Sequence, residues 1–456
     1  MSTDAIQTPR SSPEALVVGL GKTGLSCARY LRGQGWAVAV TDSRTAPPAL
    51  QQLQAELPDV AVMLGGFDQN DFLTADQIVV SPGVPLAEPV IAEAIAAGIP
   101  VIGDIELFAQ AVRAPVAGIT GSNGKSTVTT LLGLMAKRAG KHVAVGGNLG
   151  EPVLDLLADD VQLYVVELSS FQLETTHSLT LRAATVLNLS PDHLDRYSDM
   201  VAYAAAKQSI FAHAESAVVN RDDPASARLA DGVARRISFG LDGPPRPEDF
   251  GIGEHAGEAC ILRGAEPLMP VSDVLLPGTH NLANALAALA LGSLCGLDLP
   301  SMREVLRTFR GLAHRSELVA DRNDIRWIND SKGTNPGATV AALAGLVPDP
   351  SRGKAVLIAG GDCKGADFAP LVVAVERSAR ALVLIGRDAP RLAAAVGDRV
   401  PVHRAADMHE AVRLAAQSAR PGDCVVLSPA CASFDMFDDY QHRGRVFTEA
   451  VQRWVA

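Results

Sequence analysis

Short runs of consecutive apolar residues recur along the chain: ALVVGL from Ala15, AVAVT from Ala37, QIVVS from Gln77, APVAGIT from Ala114, LYVVEL from Leu163 and AATVLNL from Ala183. Between them lie Ala- and Leu-rich segments with helical period. A strand buried on both faces reads as an unbroken apolar run, so the pattern predicts parallel sheets built from βαβ units, an α/β fold. The alternation resumes in IRWIND, KAVLIAGG, ALVLIG and CVVLSP, with a helix predicted over Met408 to Ser418. Three segments are expected. The first covers 1–103, with the run GDIELF from Gly103 beginning the connector into the next; the second covers 104–311; the third covers 312–456. Within the second, the Gly/Pro-rich stretch Gly240 to Gly264 is expected to form hairpins. The most apolar long stretch, Leu282 to Leu299, reads as a buried core helix because polar residues and two glycines interrupt it.

Composition agrees with several packed cores. The chain has 456 residues, 48% hydrophobic and 20% charged, which excludes a disordered or collagen-like chain. At roughly 150 residues per domain, about three domains follow. A net charge of −11 disfavours nonspecific attraction to nucleic acid or anionic membranes, so neither is expected as a partner. The first 14 residues lack the basic start and apolar core of a secretory signal, and a cytoplasmic protein without a transmembrane segment is expected. Cys27, Cys260, Cys295, Cys363, Cys424 and Cys431 contain no C-x-x-C pair and are too dispersed for a zinc site or a disulfide framework, which suits a reducing compartment.

The strongest chemical signal is Gly118-Ile-Thr-Gly-Ser-Asn-Gly-Lys-Ser-Thr127, where an apolar strand ends in a glycine turn and a helix begins after Lys125. Backbone N–H groups, the positive helix end, Lys125 and the Ser126 hydroxyl suit phosphate with Mg²⁺, although the usual P-loop spacing asks for a glycine at Ile119. An inert glycine turn is the competing reading. Gly19-Leu-Gly-Lys-Thr-Gly24, with Asp42 after the next strand, resembles a dinucleotide fingerprint; it fits a nicotinamide dehydrogenase or the diphosphate of another nucleotide. Glu167 ends a strand and suits a metal or a helix cap. His193 lies between two acids in a loop expected at the same sheet edge. Lys207, inside a helical run, reads first as an ordinary surface lysine. Asn281 and Asn284 stand near the start of a long helix, where Asn281 would serve as an N-cap. In the third segment, His314-Arg315, Asn329 to Pro336, Gly360 to Lys364 and Ser428 to Phe434 flank strands and should converge on one face, because open α/β sheets bind ligands at their strands' carboxyl ends.

With these motifs in view, the chain resembles the Mur ligases, ATP-dependent amide-forming enzymes of cytoplasmic peptidoglycan precursor synthesis. The likeness rests on GLGKTG, SPGVP, GDIEL, GITGSNGKST, GGNLG, ELSSFQLE, DHLDRY, GTHNLANA, HR, NDSKGTN, GGDCKGADF and SPACASFDMF, spread nearly end to end. It implies an N-terminal Rossmann-like domain for a uridine nucleotide, a central P-loop ATPase-like domain and a C-terminal Rossmann-like domain. Within the family the set most resembles the branch that adds D-glutamate to UDP-N-acetylmuramoyl-L-alanine; a ligase for another amino acid such as L-glutamate is the alternative. The resemblance implies that Lys22, Thr23, Asp42, Ser43, Arg44, Ser81, Gly83 and Asn148 serve the UDP-sugar. It implies that Gly121, Ser122, Asn123, Gly124, Lys125, Ser126 and Thr127, with Asn281, His314, Arg315, Asp330, Lys332 and Asn335, surround ATP. Ser126, Glu167 and His193 would help hold two Mg²⁺ ions, joined by Lys207 as a carbamate, an anion that can ligate the metal where an ammonium would repel it. Lys125, Glu167, His193 and Lys207 are the implied catalytic set. Thr334, Lys364, Ser433, Phe434 and Tyr440 would receive D-glutamate, although Gly333 stands where alanine is common and Tyr440 where phenylalanine is frequent. A monomer is expected, with the third domain closing to assemble the reactive geometry.

Overall fold

The structure is a computed structural model that describes residues 14–193, 196–276, 278–363 and 366–455. The chain packs as two compact units. One comprises Met1–Thr120, Lys141–Ala184 and Ala205–Ser216; the other comprises Gly121–Gly140, Thr185–Ala204 and Ala217–Ala456.

In the first unit, β1 (Glu14–Val18), β2 (Ala37–Asp42), β3 (Ala61–Leu64), β4 (Gln77–Val80) and β5 (Val101–Ile102) form a parallel sheet ordered β3-β2-β1-β4-β5. The order reverses between β2 and β4 around β1, which opens a crevice at the carboxyl ends of the strands. Leu16, Val18, Ile78 and Val80 pack with Phe72 and Ile91 from covering helices. The same unit holds β6 (Val116–Thr120), β7 (Val143–Gly147) and β8 (Leu163–Glu167), parallel, with β8 in the middle.

The chain then runs through β9 (Ala183–Val186) and β10 (Ser216–Asn220) into the second unit. There β11 (Arg235–Phe239) pairs parallel with β12 (Phe250–His255), and β12, β13 (Glu258–Arg263) and β14 (Glu266–Pro270) form the expected antiparallel hairpins. The apolar stretch from Leu282 belongs to a helix over Thr279–Leu294, with Ala285 to Leu291 wholly buried. It stops at Cys295 because Gly296 takes φ +74°. No helix among the described residues is long and apolar enough to cross a membrane.

Also in the second unit, β15 (Glu317–Arg322), β16 (Ile325–Asn329), β17 (Ala355–Gly360), β18 (Ala379–Ile385), β19 (Val402–Arg404) and β20 (Cys424–Leu427) form a six-stranded sheet ordered β15-β16-β20-β17-β18-β19. Only β15 runs antiparallel to its neighbour. Leu357, Leu382 and Val426 face one core while Val356, Val383 and Val425 face the other. Both faces are covered, which is why these strands read as continuous apolar runs. The helix over Met408–Ser418 has the predicted bounds.

Candidate functional site

The first glycine turn is shaped by its own backbone. Gly19 sits at φ +93°, and a Cβ on Gly24 would lie 1.9 Å from the Gly19 carbonyl oxygen. Ser81 Oγ donates to that oxygen at 2.8 Å. The turn borders a cavity of about 610 Å³ lined by Lys22, Thr23, Asp42, Ser43, Arg44, Ser81, Gly83 and Asn148, the residues expected to serve the UDP-sugar. Asp42 is buried and its oxygens are already engaged. Its carboxylate accepts from the Leu20 and Arg44 backbone N–H groups at 2.7 and 2.9 Å and from the Arg44 guanidinium at 2.7 and 2.9 Å. Burial alone would raise this carboxyl; those donors outweigh it and hold it at about 2.

The second glycine turn, in the other unit, is shaped by distant neighbours. A Cβ on Gly121 would approach Leu187 Cβ at 3.0 Å, and one on Gly124 would reach Asn284 Oδ1 at 2.4 Å. Both glycines have positive φ, +144° and +84°, a region that L side chains rarely enter. Asn123 N–H donates to Asn188 Oδ1 at 2.8 Å, Asn188 Nδ2 donates back to Asn123 O at 3.0 Å, and Ser122 Oγ meets Ser190 O and Tyr203 Oη at 3.0 and 3.2 Å. Lys125 opens the following helix and folds back to donate to Gly121 O and Ser122 O at 2.8 and 2.9 Å. A cavity of about 350 Å³ beside the turn is lined by Asn123, Gly124, Thr127, Asn281, Asn284, Arg315, Asp330 and Lys332, with Phe239, Leu241 and Ala342 giving it an apolar side. Lys125, Ser126, His314 and Asn335 do not line it.

The third segment's polar strand ends do converge. Asp330 N–H donates to Leu427 O, Lys332 N–H to His314 O, Ala430 N–H to Gly333 O, and Asp362 exchanges backbone hydrogen bonds with Ala432. His314 and Ser316, flanking Arg315, have φ of +63° and +47°, strain that the surrounding packing must hold in place. Arg315 donates to Ser126 Oγ at 2.6 Å. Buried Asp330 accepts from Ser428 Oγ at 2.7 Å and from Ser316 N–H at 3.1 Å, and burial raises its carboxyl to about 6 despite them. Lys332 Nζ stands 4.0 Å from the Tyr440 ring centroid, within cation–π range. Gly333 is also explained, since a Cβ there would lie 2.7 Å from both Asp330 Oδ2 and Ser428 Oγ. Thr334 is half-buried and Ser433 buried; Phe434 is 70% exposed. Lys364 lies outside the described residues, as do Leu194 and Asp195.

Several expectations need correction. Asn281 is no N-cap: the helix starts at Thr279 behind Gly278, and Asn281 lies buried in its first turn, accepting from Asn284 Nδ2 at 3.2 Å. Lys207 is 1% exposed, not a surface lysine, with Nζ 3.3 Å from Thr120 Oγ1. Glu167 caps no helix, because Ser169 and Gln172 form the capping box of the short helix that follows. Cys363 and Cys431 form a disulfide, a pairing that the reading of dispersed cysteines in a reducing compartment did not foresee. They follow β17 and β20, paired neighbours in the sheet, so residues 68 apart in sequence have Cα atoms 4.4 Å apart.

Glu167 and Lys207 fall in the first unit, Ser126 and His193 in the second. Among the described residues no three His, Cys, Asp or Glu side chains group as a metal centre. Glu167 nevertheless fits a cation. Its Oε1 accepts from Asn148 Nδ2 at 2.7 Å, while its buried Oε2 has no hydrogen-bond partner, a condition that a positive ligand would relieve.

Sequence reasoning missed Arg443. It is wholly buried, donating to Ser331 O, Ser331 Oγ and Cys431 O at 2.8, 3.0 and 3.1 Å. The signal was present: Arg443 shares the apolar face of its helix with Phe447, Ala450 and Val451. His280, also missed, lines the second cavity and is driven down to about 4 by burial, so it is neutral at pH 7.

Comparison with known proteins gives three family matches: Mur ligase MurD-like, N-terminal domain, over residues 13–103; Mur ligase middle domain over 119–292; and Mur ligase, glutamate ligase domain over 314–431. The chain is 55% identical over 442 residues to the UDP-N-acetylmuramoylalanine–D-glutamate ligase of Marinobacter nauticus, covering 97% of this chain and 98% of that one. It is 53% identical to the protein of the same name from Nitrosococcus oceani, covering 97% of each. Among solved structures, UDP-N-acetylmuramate-alanine ligase from Thermotoga maritima superposes with a TM-score of 0.61 at 18% identity, covering 97% of this chain and 99% of that one. A pseudomurein peptide ligase type C from Methanothermus fervidus gives 0.59 at 18% identity, covering 97% and 100%. At that identity the two structural likenesses speak for the fold alone.

Proposed function

The chain belongs to the Mur ligase family, and from that premise we propose that it joins D-glutamate to the L-alanyl carboxyl of UDP-N-acetylmuramoyl-L-alanine, converting ATP to ADP and phosphate. The reaction builds a peptidoglycan precursor and so serves cell-wall biogenesis. A free carboxylate resists amine attack because oxide is a very poor leaving group. ATP therefore first phosphorylates it; the D-glutamate amine then attacks the acyl phosphate, and a tetrahedral intermediate collapses to the amide with loss of phosphate.

In this proposal the first cavity, with Lys22, Thr23, Asp42, Ser43, Arg44, Ser81 and Gly83, takes the UDP end, and Asn148 lies near the sugar. The backbone N–H groups of Gly121 to Thr127 and the Lys125 ammonium receive the ATP phosphates, while Asn281, His314, Arg315, Asp330, Lys332 and Asn335 surround the rest of the nucleotide. Thr334, Lys364, Ser433, Phe434 and Tyr440 receive D-glutamate. Glu167 and a carbamylated Lys207 in the first unit, and Ser126 and His193 in the second, are the residues we assign to Mg²⁺, which supplies charge neutralisation when two anions approach. We place the protein in the cytoplasm as a monomer.

The observation that carries this proposal lies within the first unit. Asn148, on the wall of the first cavity, donates to Glu167, and Glu167 pairs in register with Ile119 on the strand that feeds the phosphate loop. A sugar site is thus one hydrogen bond from a buried carboxylate with an unpartnered oxygen. The test is phosphate release from ATP with each substrate omitted in turn. Release should require both UDP-N-acetylmuramoyl-L-alanine and D-glutamate; equal release with L-glutamate would move the assignment to another member of the family. Lys207→Ala should lose turnover and regain part of it with added acetate, a carboxylate small enough to replace the carbamate, whereas unaltered turnover without additive would remove the carbamate.

A further inference from the structure

We infer that Cys363 and Cys431 are a redox-modification site, reactive toward small thiols and disulfides, that sets the order of the amino-acid-binding end of the third segment. The inference rests on the proposed D-glutamate site. The two cysteines tie the loop after β17 to the loop after β20, and Ser433 stands two residues beyond Cys431. Each cysteine is separately anchored: Cys363 N–H donates to Asp388 Oδ2 at 2.8 Å, and Cys431 O accepts from Arg443 at 3.1 Å. Beside the disulfide, Asp362 and Ala432 exchange backbone hydrogen bonds at 2.8 and 3.0 Å, and Gly360 N–H donates to Pro429 O at 2.8 Å. The covalent bond therefore supplements backbone hydrogen bonds two residues before Ser433, which the proposed function assigns to D-glutamate.

In a reducing compartment such a bond is usually transient and redox-sensing. Formation with oxidised glutathione balances as follows. One cysteine thiolate attacks the glutathione disulfide and releases a glutathione thiolate; the second cysteine, deprotonated, attacks the mixed disulfide and releases another. The protein pair loses two electrons and two protons, and one glutathione disulfide becomes two thiols. Cys363 and Cys431 are 4% and 0% exposed, so exchange requires local opening and is slow. The paired form adds a covalent restraint to the loop carrying Ser433 before ligand arrives, and reduction leaves that loop held by hydrogen bonds alone.

The experiment equilibrates the full chain with reduced or oxidised glutathione, verifies the state of Cys363 and Cys431 by thiol alkylation and peptide mass, and measures phosphate release against D-glutamate concentration. The reduced form should have a KM for D-glutamate about threefold or more above that of the paired form, with KM for ATP unchanged. Cys363→Ser and Cys431→Ser should match the reduced form and ignore either reagent. Identical KM values in two mass-verified forms would overturn the inference, as would failure of the cysteines to pair at any oxidant level. Absence of turnover in both forms would instead bring down the ligase assignment, and this inference with it.

Discussion

Two glycine turns, each between a parallel strand and a helix, are built against different neighbours. In the turn from Gly19 to Gly24, the atom that excludes a side chain at Gly24 is a carbonyl oxygen of the turn itself. In the turn from Gly121 to Lys125, the excluding atoms come from Leu187, Asn188 and the Asn284 side chain. A turn that closes on its own backbone demands fixed glycine spacing, so its motif is local. A turn closed by remote partners tolerates other spacings, which is why this second turn departs from the usual P-loop template at Ile119.

The contrast can be broken in several ways. The largest expected effect is on chemistry: Lys125→Ala should lower the turnover number for phosphate release about 10³-fold, since the cation acts where charge develops. Binding of uridine diphosphate, measured by calorimetry, should be unchanged, and full activity would remove the phosphate-loop assignment. Next come the glycines. Gly24→Ala should abolish uridine diphosphate binding, because its Cβ meets backbone that cannot move aside. Gly124→Ala meets a side chain, so Asn284→Ala, harmful alone, should lower the KM for ATP about threefold in the Gly124→Ala background. A strictly additive pair would show that the two turns do not differ as described.

The smallest effect concerns pH. Burial raises Asp330 to about 6 from an ordinary 3.8, so the folded chain holds this proton more tightly than the unfolded one. Its contribution to stability therefore falls as pH rises from about 4 to 6, and the cost of the buried charge is complete above 6. Asp330→Asn should gain stability relative to the parent between pH 4.5 and 7.5 in urea unfolding. The parent's KM for ATP should rise as pH drops through about 6, when the carboxylate on the wall of the second cavity, proposed to face ATP, is neutralised; a flat profile would argue against that role.

Much of this was legible in the sequence, for physical reasons that also mark where legibility ends. Strands buried on both faces, such as β17, β18 and β20, announce themselves as apolar runs, and the helix over Met408–Ser418 follows from its period. Most residues of the first cavity follow strand ends, with Lys22 and Thr23 opening the helix after β1, so topology gathers them. What stayed hidden depends on which strands become neighbours. The pairing of β17 with β20 joins Cys363 to Cys431, and the burial of Lys207 depends on which face of its helix is covered. Asn281 passed for a cap because its polar side chain suits one, whereas the helix begins earlier, at Thr279 behind Gly278.

The central claim is that ATP cleavage activates the L-alanyl carboxyl for attack by an amine. Substrate labelled with ¹⁸O in that carboxylate tests it most directly, with the released phosphate analysed by mass spectrometry. An acyl phosphate transfers one carboxylate oxygen to phosphate when the amine displaces it, so each phosphate released should carry one labelled oxygen. Unlabelled phosphate, released at the rate at which product forms, would contradict the account.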